Sequence, residues 1–146
     1  MPLEGRFELE LNNLIWALAA LPTHLRDEAG KIVIRAAEGA KEEIQGAYPP
    51  SAASLAAAME VRVADVARFG VAADVINHHP LARMYDLGTA ARHTSLGRNR
   101  GVMPPAFVFE PRYRRWRRAM YDRLKQLVED QGFVVSGDEP DDAGFP

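Results

Sequence analysis

Residues 59–76, MEVRVADVARFGVAADVI, decide the class of fold. Met59, Val61, Val63 and Asp65 alternate with Glu60, Arg62 and Ala64, and a period of two sends alternate side chains to opposite faces of an extended chain. That predicts a half-buried strand. Residues 69–76, FGVAADVI, read as a second strand, with Arg68, Phe69 and Gly70 at or near the turn. An antiparallel hairpin is the simple inference.

Upstream of the hairpin the period changes. Across residues 23–46 the apolar positions Leu25, Ala29, Ile32, Val33, Ala36, Ala40 and Ile44 recur at helical spacing. The opposite side carries Asp27, Glu28, Lys31, Arg35, Glu38, Lys41 and Glu42, as on an amphipathic helix packed against a sheet. Thr23 can cap its start after Pro22, and Gly46 with Pro49-Pro50 ends it. Residues 51–58, SAASLAAA, are a connector or a short helical turn. Earlier still, residues 7–20 can open as a short strand and read best as a helix from about Glu10, on Leu11, Leu14, Ile15 and Leu18.

Downstream, residues 81–87 are a third strand or a helical turn, closed by Gly88-Thr89. Residues 88–105 lack apolar periodicity and hold three glycines, three arginines and Pro104-Pro105. Loops of that length within a domain are usually functional or mobile. Residues 106–109, AFVF, read as a short extended segment. Glu110-Pro111 then opens a helix that runs to about Gln131 and stops at Gly132. Phe133, Val134 and Val135 can form a last strand. The expected fold is α+β: a small antiparallel sheet packed against a long N-terminal helix and a long C-terminal helix. One domain is expected over residues 1–135, with its long loop at about 88–105, followed by an acidic tail at 136–146.

Composition narrows the function classes. A chain of 146 residues, 47% apolar, can bury about two-thirds of its unfolded surface and needs no covalent staples. The absence of cysteine excludes disulfides, thiolate metal sites and a thiol nucleophile. No signal peptide is visible, and the longest apolar stretch, residues 14–21, is far short of the roughly 20 residues of a membrane span. A soluble protein that engages no membrane is expected. The net charge of −2 conceals segregation: residues 92–125 hold ten Arg or Lys against Glu110 and Asp122, leaving the remainder strongly acidic.

The densest basic feature lies on the C-terminal helix. Arg112, Arg114, Arg115, Arg117 and Arg118 occupy five of seven positions, with only Tyr113 and Trp116 between them. Tyr113, Trp116, Met120, Leu124 and Leu127 recur at intervals of three and four, so one face of this helix belongs to the core. Arg112, Arg115 and Arg118 project away from that stripe, and Arg114 and Arg117 flank it. One reading is a solvated face whose arginine stems cover apolar surface. The sharper one is a contact surface for carboxylates or phosphates, both of which arginine binds bidentately.

Other constellations are weak. His78 and His79 are adjacent, so in an extended segment they point apart and cannot easily share an ion; no metal and no cofactor are expected. None of Ser51, Ser54, Ser95 and Ser136 stands in a nucleophile-elbow pattern. The glycines at 88, 97 and 101 match no phosphate-binding loop, and no carboxylate pair is placed for acid–base work. Enzymatic function has no positive support, and no catalytic residue is assigned.

One ordered arrangement is similar to a known family. A helix ending in AYPP is followed by small residues and alternating strands, then by Tyr85-Asp86-Leu87-Gly88-Thr89. A loop leads from there to Pro104-Pro105-Ala106-Phe107-Val108-Phe109-Glu110-Pro111 and a closing helix. This resembles the minor tail-component or neck proteins of long-tailed bacteriophages, in which a strand end E-F-G-T precedes a loop, P-A-R-P-F-L-R-P and a terminal helix. Tyr85, Asp86, Gly88 and Thr89 stand for the first motif, and Pro105, Phe107 and Pro111 for the second. The likeness spans most of residues 11–135. The family's A-P-x-D-T-G segment is absent after Tyr48, and no arginine separates Ala106 from Phe107.

The resemblance implies a subunit of the head–tail connector or tail-completion ring, assembled in the bacterial host cytoplasm and carried in the virion neck. Its implied partners are copies of itself in a ring, a hexamer by preference, and adjoining connector, tail-tube or terminator proteins. DNA passing through the ring could touch it non-specifically. The interface candidates are the five helix arginines, Arg98 and Arg100 in the loop, and Asp138, Glu139, Asp141 and Asp142 in the tail. The competing class is a nucleic-acid-binding protein that sets the arginine-rich helix on phosphates, with affinity falling steeply as salt rises.

Overall fold

A computed structural model describes residues 2–7, 23–66 and 70–133, centred on a three-stranded antiparallel sheet. The strands are β1 (Leu3–Phe7), β2 (Met59–Val66) and β3 (Gly70–Asn77), in the order β1-β3-β2. The alternating stretch pairs as a hairpin, with Met59 opposite Asn77 and Val61 opposite Val75. β1 lies on the other side of β3, Leu3 also facing Asn77. The centre strand is buried on both faces, from Ala72 through Asn77, whereas edge strand β2 exposes Glu60, Arg62 and Val63.

Helix α1 (Thr23–Ala47) lies across the sheet and contacts β3. Ala29, Val33, Ala36, Ala37, Ala40 and Ile44 are buried, and Leu25 and Ile32 are half-buried beside them, so the stripe read from spacing is the packed face. A 3-10 turn (Pro50–Ala52) and helix α2 (Ala53–Ala57) then lead into β2, which makes the small-residue stretch helical. Helix α3 (Ala82–Leu87) settles residues 81–87 as helix, with Ala82 and Asp86 on its inner side. Helix α4 (Phe109–Glu129) packs along α1. The two approach closely because Gly39 has no side chain: a Cβ there would fall 2.4 Å from the Trp116 ring. The fold is α+β, a small antiparallel sheet with one long helix before it and one after.

Two segments differ from the reading of the sequence. Within residues 88–105 the chain forms a ribbon of β4 (Arg92–His93) and β5 (Asn99–Gly101). The ribbon is tied by Thr94: its N–H donates to the Arg98 carbonyl and its hydroxyl accepts from the Arg98 N–H. The residues at 106–109 are not extended, since Phe107 has φ +49 and Phe109 already belongs to α4. The helix expected from about Glu10, the residues 67–69 at the hairpin turn, Val134-Val135 and the acidic tail all lie outside the described residues. No helix among the described residues is long and apolar enough to cross a membrane.

Candidate interaction surface

The surface is built at the start of α4. Val108, at the helix N-cap, makes no side-chain cap, and Asp86 of α3 fills the place from a distant part of the chain. Its Oδ1 accepts the Phe109 N–H at 2.6 Å and its Oδ2 the Glu110 N–H at 3.2 Å. The carboxylate is fully buried. Two backbone donors and the positive end of the helix dipole offset its desolvation. Backbone bonds complete the junction: Ala106 N–H to the Tyr85 carbonyl, Phe107 N–H to the Asp86 carbonyl, and Thr89 N–H to the Met103 carbonyl. The Thr89 hydroxyl accepts the Met103 N–H at 3.1 Å.

Gly88 makes this docking geometrically feasible. Its φ is +74, and a Cβ would lie 2.7 Å from the Met103 carbonyl oxygen and 2.8 Å from the Pro105 nitrogen. Both are backbone atoms that cannot swing away. The motif residues Tyr85, Asp86, Gly88 and Thr89 are therefore brought against Pro105 and Phe107, with Pro111 in the first turn of α4. The ribbon springs from this junction, so every step that locks the two segments also fixes its root.

The five helix arginines do not form one free surface. Arg112 and Arg115, expected to project away from the apolar stripe, instead reach Glu43 of α1: Arg112 Nε at 3.9 Å and Arg115 through a direct ion pair. Trp116 Nε1–H donates to the second Glu43 oxygen at 2.6 Å. Arg112 also donates to the Val108 carbonyl at 3.0 Å, which places a cation over the start of the helix. Arg114 pairs with Glu110 one turn earlier at 2.5 Å. The Arg117 guanidinium lies 5.6 Å from the Tyr121 ring centre, within cation–π range. Arg118 is exposed.

The buried arc of α4 is Phe109, Tyr113, Met120, Tyr121, Leu124 and Val128, with Trp116 and Leu127 half-buried. It is wider than the predicted stripe, and Arg117 falls inside it. Glu43 carries no sign of its role in the sequence, since it sits one position before the core residue Ile44 and belongs to no motif. Arg115 and Trp116, two of its partners, lie 72 and 73 positions away.

The ribbon arginines differ. Arg92, Arg98 and Arg100 are exposed and make no side-chain ion pair among the described residues. Leu96 at the turn is 83% exposed, Val102 64% and Phe107 51%, so apolar surface accompanies the charge. A non-glycine residue with positive φ and an exposed ring, as at Phe107, is uncommon. Beside the ribbon root lies a cleft of about 310 Å3, walled by Leu55, Leu81, Met84, Tyr85, Arg92 and Met103. Asp138, Glu139, Asp141 and Asp142 lie outside the described residues.

His78, His79 and Asn77 bond within the fold. His78 pairs with Glu60 at 2.5 Å, while His79 Nδ1 accepts the Leu81 N–H. Among the described residues no three His, Asp or Glu side chains gather where they could hold a metal. Asn77 is fully buried: its amide donates to the Tyr48 hydroxyl and the Leu55 carbonyl, and its oxygen accepts the His79 N–H. Burial pushes the Tyr48 phenol above its ordinary value, and the Asn77 bond works against that.

Compared with protein-family models, with curated proteins and with solved structures, the chain matches none.

Proposed function

We propose that this chain is a structural subunit of a bacteriophage neck or tail-completion ring, joining the capsid portal complex to the tail by protein–protein packing. The observation that carries the reading is the docking of residues 85–89 onto residues 103–109. Those are the two segments in which the sequence resembles the family, and here they form one junction that roots an exposed basic ribbon. Their polar groups are spent on helix capping and backbone bonds, which is the work of a scaffold. A head-to-tail ring needs two different patches on each subunit. The charge-segregated chain offers candidates for both.

Imaging of the purified chain, alone and co-expressed with portal and tail proteins, tests the reading. Closed rings, six-fold by preference, and co-purification with either neighbour are the expected results. A stable monomer that binds DNA tightly, with affinity collapsing as salt rises, would instead assign the chain to nucleic-acid binding.

A further inference from the structure

We propose that the arginine ribbon of one copy receives the acidic segment 138–142 of a second copy, head to tail. The inference rests on the ring reading and names the partner at its interface. Charge complementarity is the first support. Residues 87–109 contain Arg92, Arg98 and Arg100 and no acid, whereas residues 134–146 contain Asp138, Glu139, Asp141 and Asp142 and no base. Four of the helix arginines are already engaged within the fold. Arg112 and Arg115 are held by Glu43, Arg114 by Glu110, and Arg117 lies over Tyr121. The ribbon cations make no ion pair among the described residues, and exposed Leu96 and Val102 lie beside them as apolar contact surface.

Chain length is the second support, and it selects a second copy over the same one. The ribbon roots at the N-terminal end of α4, and the tail leaves from its C-terminal end. A helix of 21 residues separates those ends by about 30 Å. From Phe133 to Asp138 the chain spans at most roughly 18 Å. Asp138 and Glu139 therefore fall short of the root of their own ribbon. Asp141 and Asp142 come level with its root only when the backbone is pulled straight along the helix, which forfeits the conformational freedom of every residue stretched. A neighbour stacked end to end presents its ribbon where the tail begins. A cationic patch on one copy that meets an acidic segment of another is a heterologous contact, the kind that closes rings.

The absence of cysteine allows a direct test in the full chain. Ser95→Cys combined with Ala143→Cys, oxidised at low salt, should give a ladder of disulfide-linked multimers. An internally closed monomer, or no cross-link, overturns the proposal. Charge reversal supplies the second arm, read by sedimentation. The triple change Arg92→Glu, Arg98→Glu, Arg100→Glu and the quadruple change Asp138→Lys, Glu139→Lys, Asp141→Lys, Asp142→Lys should each weaken self-association by about tenfold or more. An equimolar mixture should recover it, because every ribbon again meets a tail of opposite sign. If both reversed chains assemble like the unaltered one, the tail contact is wrong and the ring reading stands. An unaltered chain that stays monomeric at every concentration removes both. Loss in the ribbon variant alone, with loss of binding to a short DNA duplex, gives the ribbon to phosphates and overturns the proposal.

Discussion

Asp86→Ala leaves two backbone N–H groups at the start of α4 without an acceptor inside the protein. A lost helix cap costs about 1 kcal/mol, and orphaned buried donors add a similar amount. The variant should lose about 2 kcal/mol, seen as a thermal midpoint lower by roughly 4–8 °C. Asp86→Asn should recover only part of this, since its amide nitrogen cannot accept. Tyr48 gives a pH signature. Its phenol ionises above the usual value near 10 because burial opposes the charged form, so the folded state holds that proton longer than the unfolded chain. The associated stability is complete below about pH 10 and is lost as pH climbs through the folded value. Urea titrations at rising alkaline pH should show a falling midpoint that Tyr48→Phe flattens. The same change costs stability at neutral pH, about 1–3 kcal/mol, by removing an acceptor from the buried Asn77 amide.

Between elements, the tie of α4 to α1 converges on Glu43, where two guanidinium groups and an indole N–H meet one carboxylate. The site is about one-third exposed, so solvent screens the ion pairs, and the half-buried Trp116 bond carries more of the effect. Glu43→Ala should destabilise by about 1–2 kcal/mol in urea unfolding, and Glu43→Gln by less, since an amide oxygen can still accept from Trp116. A double-mutant cycle with Trp116→Phe should return a coupling near 1 kcal/mol. A coupling of zero would mean that Gly39 and apolar packing alone seat the indole. These elements were legible in different degrees. The α1 stripe and β2 were readable because each repeats one local period, and β3 because its short apolar run follows a turn marked by Gly70. The β4–β5 ribbon was not, because its two and three residues are all exposed and no apolar alternation marks them. Residues 81–87 stayed ambiguous in sequence because so short an apolar run fits either period.

For the whole molecule, charge and core are separable. The core of α1, α4 and the sheet is apolar, while the ribbon arginines are exposed and make no ion pair among the described residues. Raising salt from about 0.05 to 0.5 M shortens electrostatic reach from roughly 14 to 4 Å. Self-association should weaken across that range while the thermal midpoint of the fold moves little. Parallel loss of both would show that assembly and folding are one transition.

The sequence by itself determined the α+β class, the two long helices, the β2–β3 hairpin and the basic character of residues 92–125, because periodicity and charge are local properties of the chain. It also marked residues 85–89 and 105–111, but not what they do. Only the tertiary structure decided that Asp86 caps α4, that Gly88 must lack a side chain beneath Met103, and that Glu43 draws Arg112 and Arg115 inward. Those contacts join positions about 15 to more than 70 residues apart. Partners so distant meet only after the hairpin and helices have packed. That packing drew Arg112, Arg114, Arg115 and Arg117 into contacts within the fold and left the ribbon arginines exposed without an ion pair among the described residues.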